Sequence, residues 1–387
     1  MKRAEKGKIY AAVVAISFIQ GLQYSVSPVL GDIQAHYPGV SVSLIQMLIT
    51  APALLSMVVS LVSGWLILKI TKKRLLLFGS LVAGITGFAP YLSDSFALLF
   101  LSRTLYGVGL GIATTMNVAV VAEFFEGEER VKAMGVQAAS VGAGMVVVTT
   151  AAGFLGSFGF KASYLVNIIG FLSMLVLLFC LPETGCAKES GSETIRLNSR
   201  VFQIDLFGML ELLFLITFTT NIAMHLGGSL AGNTSVSGTL TGLFSAAQIV
   251  VGVVLGTIAR VTGKYTLPVA MLSFTVGAVL LVLFPANVVM LAIGAVFCGF
   301  SQGVFIPTAV TEISNAVAPV ATALASATFT CAMNLGQLVS PSLTNTAAKL
   351  FFGAVTTSNV YLVSAVGMAL SAAAAFLWKK HQTNSTT

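Results

Sequence analysis

Charged side chains are scarce in this 387-residue chain: Asp, Glu, Lys and Arg together make up 9%. A soluble globular domain carries roughly 25%. A fold of this size could not cover a water-facing surface with so few charges, which excludes a cytosolic enzyme and a disordered chain. Histidine is limited to His36, His225 and His381, so the stretch Gly299-Phe300-Ser301-Gln302-Gly303 has no histidine set to make it a hydrolase elbow. Four cysteines, Cys180, Cys186, Cys298 and Cys331, show no CxxC or Cys/His spacing, and no metal or disulfide framework is expected. A P-loop is missing, so the chain does not drive transport with ATP by itself. Gly107-Val108-Gly109-Leu110-Gly111 lacks the full dinucleotide pattern and a preceding strand.

What is present is apolar: 56% of residues, with mean hydropathy +0.95. The net charge of +7 does not indicate nucleic acid, because the basic residues stand in short clusters between apolar runs. Those runs are about 20 residues long, enough for a helix to cross a bilayer. The expected fold class is therefore an all-α membrane protein. Twelve spans are expected at about 9–30, 42–68, 74–92, 95–122, 132–156, 160–181, 204–226, 238–259, 266–285, 288–311, 319–343 and 356–378. The first run is too long for a signal-peptide core and has no cleavage site, so it reads as a retained span.

The charges support this count. With an inner N-terminus and strict alternation, 17 of the 20 basic residues fall inside. Only Lys161 and Lys349 fall outside, and Arg103 lies within a span. This is the positive-inside asymmetry of a plasma-membrane protein with both termini cytoplasmic.

The chain also repeats itself. Gly64 and Gly256, Lys72 and Lys264, Gly107 and Gly299, and Gly111 and Gly303 are each 192 positions apart. A duplicated six-helix unit is expected, with domains 1–182 and 204–387 joined by a polar cytoplasmic linker at 183–203.

With this plan the chain resembles the major facilitator superfamily, and three local patterns add to the likeness. The loop after span 2, Gly64 to Lys73, keeps the glycine and the basic residues Lys69, Lys72 and Lys73 of the family's gating loop. It carries Leu68 where the family has an acid and Thr71 where it has a second glycine. The fourth span, with Arg103 in "SRTLYGVGLG", is similar to the family's arginine-plus-glycine pattern. "LPET" after span 6 is also usual in the family. The resemblance implies two pseudo-symmetric six-helix bundles around a central site lined by spans 1, 2, 4, 5, 7, 8, 10 and 11. In character it lies nearest the bacterial drug:proton antiporters, although span 5 lacks their Gly-Pro pair.

Candidate site residues follow from the cost of placing polar groups in lipid. Gln20, Gln23, Tyr24 and Ser27 share one face of a continuous helix at i, i+3, i+4 and i+7. Thr330, Asn334 and Gln337 form a second stripe in span 11. Gln137, Gln248, Asn117, Asn221 and Gln302 add amides in spans 5, 8, 4, 7 and 10. With Arg103 these are the expected substrate contacts, or else contacts between helices. Glu211 in span 7, with Phe214, Leu215 and Phe218 on its near face, is the expected proton-coupling acid, or else a near-interface glutamate snorkelling inward. Asp205 is a second candidate, or a helix-start acid.

The expected function is secondary transport by alternating access, with proton-coupled export of small amphipathic compounds as the leading form. The alternatives are uptake or exchange of a nutrient or organic anion, with Arg103 as the anion contact, and a transporter-shaped receptor without flux. Enzymatic activity is not expected. The expected partners are a small-molecule substrate, protons and the lipid bilayer, with no cofactor, no metal and no nucleic acid, and the protein acts as a monomer.

Overall fold

The structure, a computed structural model, describes residues 3–186, 197–317 and 322–384. Lys2, Lys188, Arg196 and the rest of residues 187–196 of the expected linker lie outside these residues.

Among the described residues, ten stretches are long and apolar enough to cross a membrane. One of them, Thr234–Leu283, is two helices, Thr234–Thr262 and Thr266–Leu283, joined at Gly263 with φ 56°. The helix Thr322–Phe352 completes twelve. Spans 1 to 7 are Glu5–His36, Val42–Ser63, Lys72–Leu92, Phe96–Phe124, Lys132–Gly156, Phe160–Cys180 and Ser199–His225. Spans 8 and 9 are the two helices around Gly263. Span 10 is Val288–Ala316, span 11 is Thr322–Phe352 and span 12 is Thr357–His381.

Short polar residues start these helices. Ser41, Thr71, Ser95, Asn198 and Asn233 each accept a hydrogen bond from the backbone N–H three residues on. These caps set the loops between spans. Two features differ from expectation. Span 1 is not one regular helix: it ends at Gly21 and passes through two tight turns, Leu22–Tyr24 and Ser27–Val29, before resuming at Leu30. Pro28 sits in the second turn and cannot donate a ladder hydrogen bond. Span 11 continues to Phe352, nine residues beyond the expected end, and carries Pro341 inside it.

The twelve helices form two six-helix bundles related by the sequence repeat. In lipid, helices gain little from apolar burial and associate through close contact of small residues. A Cβ on Gly107 would lie 2.2 Å from the Pro52 carbonyl oxygen, and one on Gly299 would lie 2.1 Å from that of Phe244. Gly107 also touches Leu55, and Gly299 touches Ala247. Gly111 meets Ser56 and Val59; Gly303 meets Gln248 and Val251. Every member of the first seam, between spans 4 and 2, has its counterpart 192 positions on in the second, between spans 10 and 8.

The bundles meet along spans 5 and 8 and along spans 2 and 11. At the end opposite the termini, spans 5 and 8 are in backbone contact: a Cβ on Gly153 would lie 2.5 Å from the Thr234 carbonyl oxygen. Midway, Gly142 abuts Ile249. Toward the termini the contact is lost. Gly135, Gly252 and Gly256 face open space, and Val253 is 84% exposed.

Candidate substrate pathway and gate

Side-chain hydrogen bonds cross between the halves only at the end opposite the termini, among the described residues. Ser27 Oγ donates to the Thr219 carbonyl at 2.6 Å, and Ser237 Oγ to that of Pro28 at 2.7 Å. Three amides continue the seal. Asn345 Nδ2 donates to Gln46 Oε1 at 2.7 Å and to Ser43 Oγ at 2.9 Å. Gln46 Nε2 donates to Asn221 Oδ1 at 2.7 Å, and Asn221 Nδ2 to the Thr217 carbonyl at 3.0 Å. Each amide uses its NH2 toward the next acceptor, so the chain fixes the orientation of all three.

Ion pairs do the opposite. Those formed among the described residues all stay within one bundle. Near the termini Lys72 pairs with Glu123 at 2.8 Å, Arg74 with Glu183 at 2.9 Å, Lys6 with Glu129, and Lys379 with Glu312. Lys6 holds the Glu129 carboxyl below the usual carboxylate range. At the other end Asp94 takes His36 at 2.9 Å and Lys161 at 3.1 Å. Lys161, then His36, holds the Asp94 carboxyl below its ordinary value. Each half is thus tied internally by charge, and the halves are tied to each other by neutral groups.

The expected gating-loop residues join this pattern. Lys72 bonds to Glu123 of span 4, Lys73 Nζ donates to the Leu178 carbonyl at 2.8 Å, and Lys69 lies 4.1 Å over the Trp65 ring. With Leu68 at the loop's acid position, Glu123 supplies the carboxylate from the neighbouring span. Gly64 lies in the last turns of the helix Pro52–Leu66.

The stripe expected along span 1 is divided by the break in its helix. Gln20 Nε2 donates to the Ala113 carbonyl and Gln23 Nε2 to that of Ile49, both at 3.3 Å. Ser27 turns to span 7. A regular helix would have kept them on one face. The 3-10 turns send them to three different spans. Tyr24 is buried, 9% exposed.

Arg103 is 1% exposed and makes no ion pair among the described residues. Its Nε donates to the Leu48 carbonyl at 3.1 Å, and its Nη2 donates to the Gln23 carbonyl. Nη1 reaches Ser25 Oγ at 3.5 Å, and the guanidinium lies 5.0 Å from the centre of the Tyr106 ring. The arginine therefore satisfies carbonyls where the helix of span 1 breaks, and ties spans 1, 2 and 4. Asn117 Nδ2 donates to Ser17 Oγ at 2.9 Å, linking spans 4 and 1 lower down.

In the second half, Glu211 is 2% exposed and accepts a hydrogen bond from Ser301 Oγ of span 10 at 2.7 Å. Its other oxygen, Oε2, is buried without a partner. The apolar company expected on its own helix is thus joined by a hydroxyl from across the bundle. Sequence spacing within one helix could not show that contact. Asp205 is 7% exposed, lies beside Thr328 of span 11 and has a buried, unpartnered Oδ1.

Five amides remain for the open part of the interface. Gln248 Nε2 donates to Gln302 Oε1 at 2.8 Å, joining spans 8 and 10, and both are half-buried. Gln137 and Asn334 are half-buried with no side-chain hydrogen bond to another described residue. Gln337 is buried, with its Nε2 unpartnered. Thr330 is exposed and bonds to its own helix at Ser326. Ser43, Gln46 and Asn345 were not among the sequence-derived candidates. Their one signal is an amide or hydroxyl near the end of an apolar run, which alone does not separate a gate from a helix end.

The family model described as Major Facilitator Superfamily matches residues 12–216 and 206–387. Multidrug resistance protein 2 of Bacillus subtilis (strain 168) is 23% identical over 181 residues, 46% of this chain and 45% of that protein. Riboflavin transporter RibZ of Clostridioides difficile (strain 630) is 28% identical over 155 residues, 40% of this chain and 34% of that protein. The chain thus matches less than half the length of these relatives. The crystal structure of the nucleoside transporter NupG superposes with a TM-score of 0.78 at 13% identity, covering 95% of this chain and 99% of that one.

Proposed function

This chain belongs to the major facilitator superfamily and is a membrane transporter rather than an enzyme, and from that premise we propose proton-coupled export of small amphipathic compounds by alternating access. The observation that carries the alternating-access reading is the asymmetry of the interface: neutral crossing bonds at one end, open space at the other. Two bundles that are internally tied by charge can rock as units around such an interface. The end bearing the termini is the cytoplasmic side, on the positive-inside asymmetry, so this conformation is inward-open. The halves divide at 1–182 and 204–387, with 183–203 as a cytoplasmic linker, and the protein acts as a monomer.

In this reading the substrate meets Gln137, Gln248, Gln302, Asn334 and Gln337 in the open cleft, with Tyr24 toward its closed end. Gln20, Gln23, Arg103 and Asn117 hold the first bundle in shape, and Asn221 belongs to the gate. Glu211 carries the proton. A buried carboxyl with one hydroxyl partner and one free oxygen is a group whose charge the surroundings support poorly. Likeness to a multidrug resistance protein supports the export of amphipathic compounds. Likeness to a riboflavin transporter keeps nutrient uptake as the competing reading, and flux direction separates the two.

The test is transport in proteoliposomes. Purified protein, screened by thermal shift for a stabilising compound, should accumulate that compound against its gradient when a pH gradient is imposed. Collapsing the pH gradient should stop accumulation and leave downhill exchange. Accumulation that persists without a pH gradient would contradict proton coupling.

A further inference from the structure

A cavity of about 470 Å³ lies at the end opposite the termini, on the sealed side of the gate. Its walls come from both halves. Asp32, Gln34 and Val42 belong to the first, and Asn221, Asn345 and Thr357 to the second. Asn221 and Asn345 are also members of the amide chain that closes the interface. The cavity is therefore assembled when the halves meet here, and it is separate from the cleft that opens toward the termini.

The lining contains no lysine, arginine or histidine. Its one charged residue, Asp32, belongs to none of the ion pairs formed among the described residues. Two further acceptors are left over. Gln34 Oε1 and Asn345 Oδ1 are both buried without a hydrogen-bond partner. The Asn345 orphan is not an amide placed the wrong way round. Its Nδ2 is committed to Gln46 Oε1 and Ser43 Oγ, so the oxygen is what remains. Asn345 is 4% exposed. A buried acceptor left unmade costs about 1–3 kcal/mol, which a ligand carrying N–H donors would offset.

We propose that this cavity is a second ligand site, distinct from the transport site, and that it takes a small organic ammonium ion. The carboxylate of Asp32 supplies the charge complement, and the Gln34 and Asn345 carbonyl oxygens accept N–H donors. Methyl and methylene groups of Val42, Ala223, Leu226 and Val360 line the remainder and suit a short alkyl chain. Because both halves contribute walls, an occupant binds the sealed state and not the state in which this end has opened. It therefore holds the carrier sealed on that side.

The test uses the full chain, purified in detergent and lacking its four native cysteines, with a reporter at Ala231→Cys on the cavity wall. The probe is ethylammonium chloride at roughly 50 mM, in the range of a weak site. At matched ionic strength, ethylammonium should slow labelling of the reporter by a thiol reagent several-fold relative to sodium chloride. Sodium acetate should not. A reporter at Ala286→Cys, exposed on the same side but outside the cavity, should show no protection. Asp32→Asn should abolish the protection and Asp32→Glu should retain it. If Asp32→Asn does not fold, Gln34→Leu takes its place and should weaken the protection several-fold. Absence of protection in the parent chain, equal protection at Ala286→Cys, or protection unchanged in the Asp32 and Gln34 variants would overturn the proposal.

Discussion

At the residue scale, Arg103 and Glu211 sit in different kinds of environment. Arg103 is surrounded by carbonyls that need donors, and Glu211 has one donor for two oxygens. Arg103→Lys keeps the charge and loses the planar fork, so it cannot reach Leu48, Ser25 and Gln23 together. Thermal unfolding should show destabilisation of about 1–3 kcal/mol, the scale of a buried acceptor left unsatisfied. An unchanged melting temperature would mean the fork is not needed. Glu211→Gln keeps the shape and removes the proton site. It should abolish accumulation driven by a pH gradient and leave substrate binding and downhill exchange. If the variant still accumulates substrate with unchanged pH dependence, Glu211 is not the coupling acid. Asp94 gives a test outside the membrane. Its carboxyl titrates below the ordinary value because of Lys161 and His36, so its stabilising contribution is present above the unfolded carboxylate pKa and is lost as pH falls through the folded one. The melting-temperature gap between the parent chain and Asp94→Asn should be present above about pH 4 and close below about pH 3. A gap that widens in acid would have the wrong sign. The intramembrane charges were legible from sequence because they are rare in apolar runs. Their partners were not, since Ser301, Leu48 and Gln23 arrive from other helices.

At the element scale, the glycine seams decide how closely spans 4 and 2, and spans 10 and 8, approach. A Cβ on Gly107 or Gly299 would meet a backbone carbonyl at 2.2 or 2.1 Å, and neither carbonyl can rotate away as a side chain would. Gly107→Ala and Gly299→Ala should each destabilise by about 1–3 kcal/mol through overpacking. Gly252 and Gly256 lie in the same helix as the second seam and face open space. Gly252→Ala should leave stability unchanged or raise it by up to about 1 kcal/mol, from helix propensity alone. Thermal unfolding of the three variants checks the contrast, and equal loss at all three would refute the seam. The spacing of 192 announced these elements in the sequence, because glycines that touch a neighbouring backbone recur with the fold. The break in span 1 was less visible. A single Pro28 near the end of an apolar run is also compatible with a helix that simply stops there.

At the scale of the whole molecule, twelve spans, two halves and their pseudo-symmetry were legible in hydropathy, charge distribution and repeat. The conformational state was not: in the proposed alternating access it depends on which of two interfaces the halves make, and one sequence must encode both. Topology has its own check. A single cysteine at Lys161 or Lys349 should react with an impermeant reagent outside intact cells, and one at Lys72 or Lys264 should not; the reverse pattern would invert the orientation. The central claim is that the two halves rock between alternative seals and that neutral bonds around Gln46, Asn221 and Asn345 hold the present one. Each such bond is worth about 1 kcal/mol net. Gln46→Ala/Asn345→Ala removes three that cross the interface, which shifts a balanced equilibrium by on the order of 100-fold. The most direct measurement is paired spin-label distance in the purified protein, with one pair at Ser157 and Ala231 and the other at Val136 and Val253. In the parent chain the first pair should be close and the second far apart. In Gln46→Ala/Asn345→Ala a second population should appear in which the first distance lengthens and the second shortens together. Distances that do not move, or a lengthening of the first pair with no shortening of the second, would contradict alternating access through this gate.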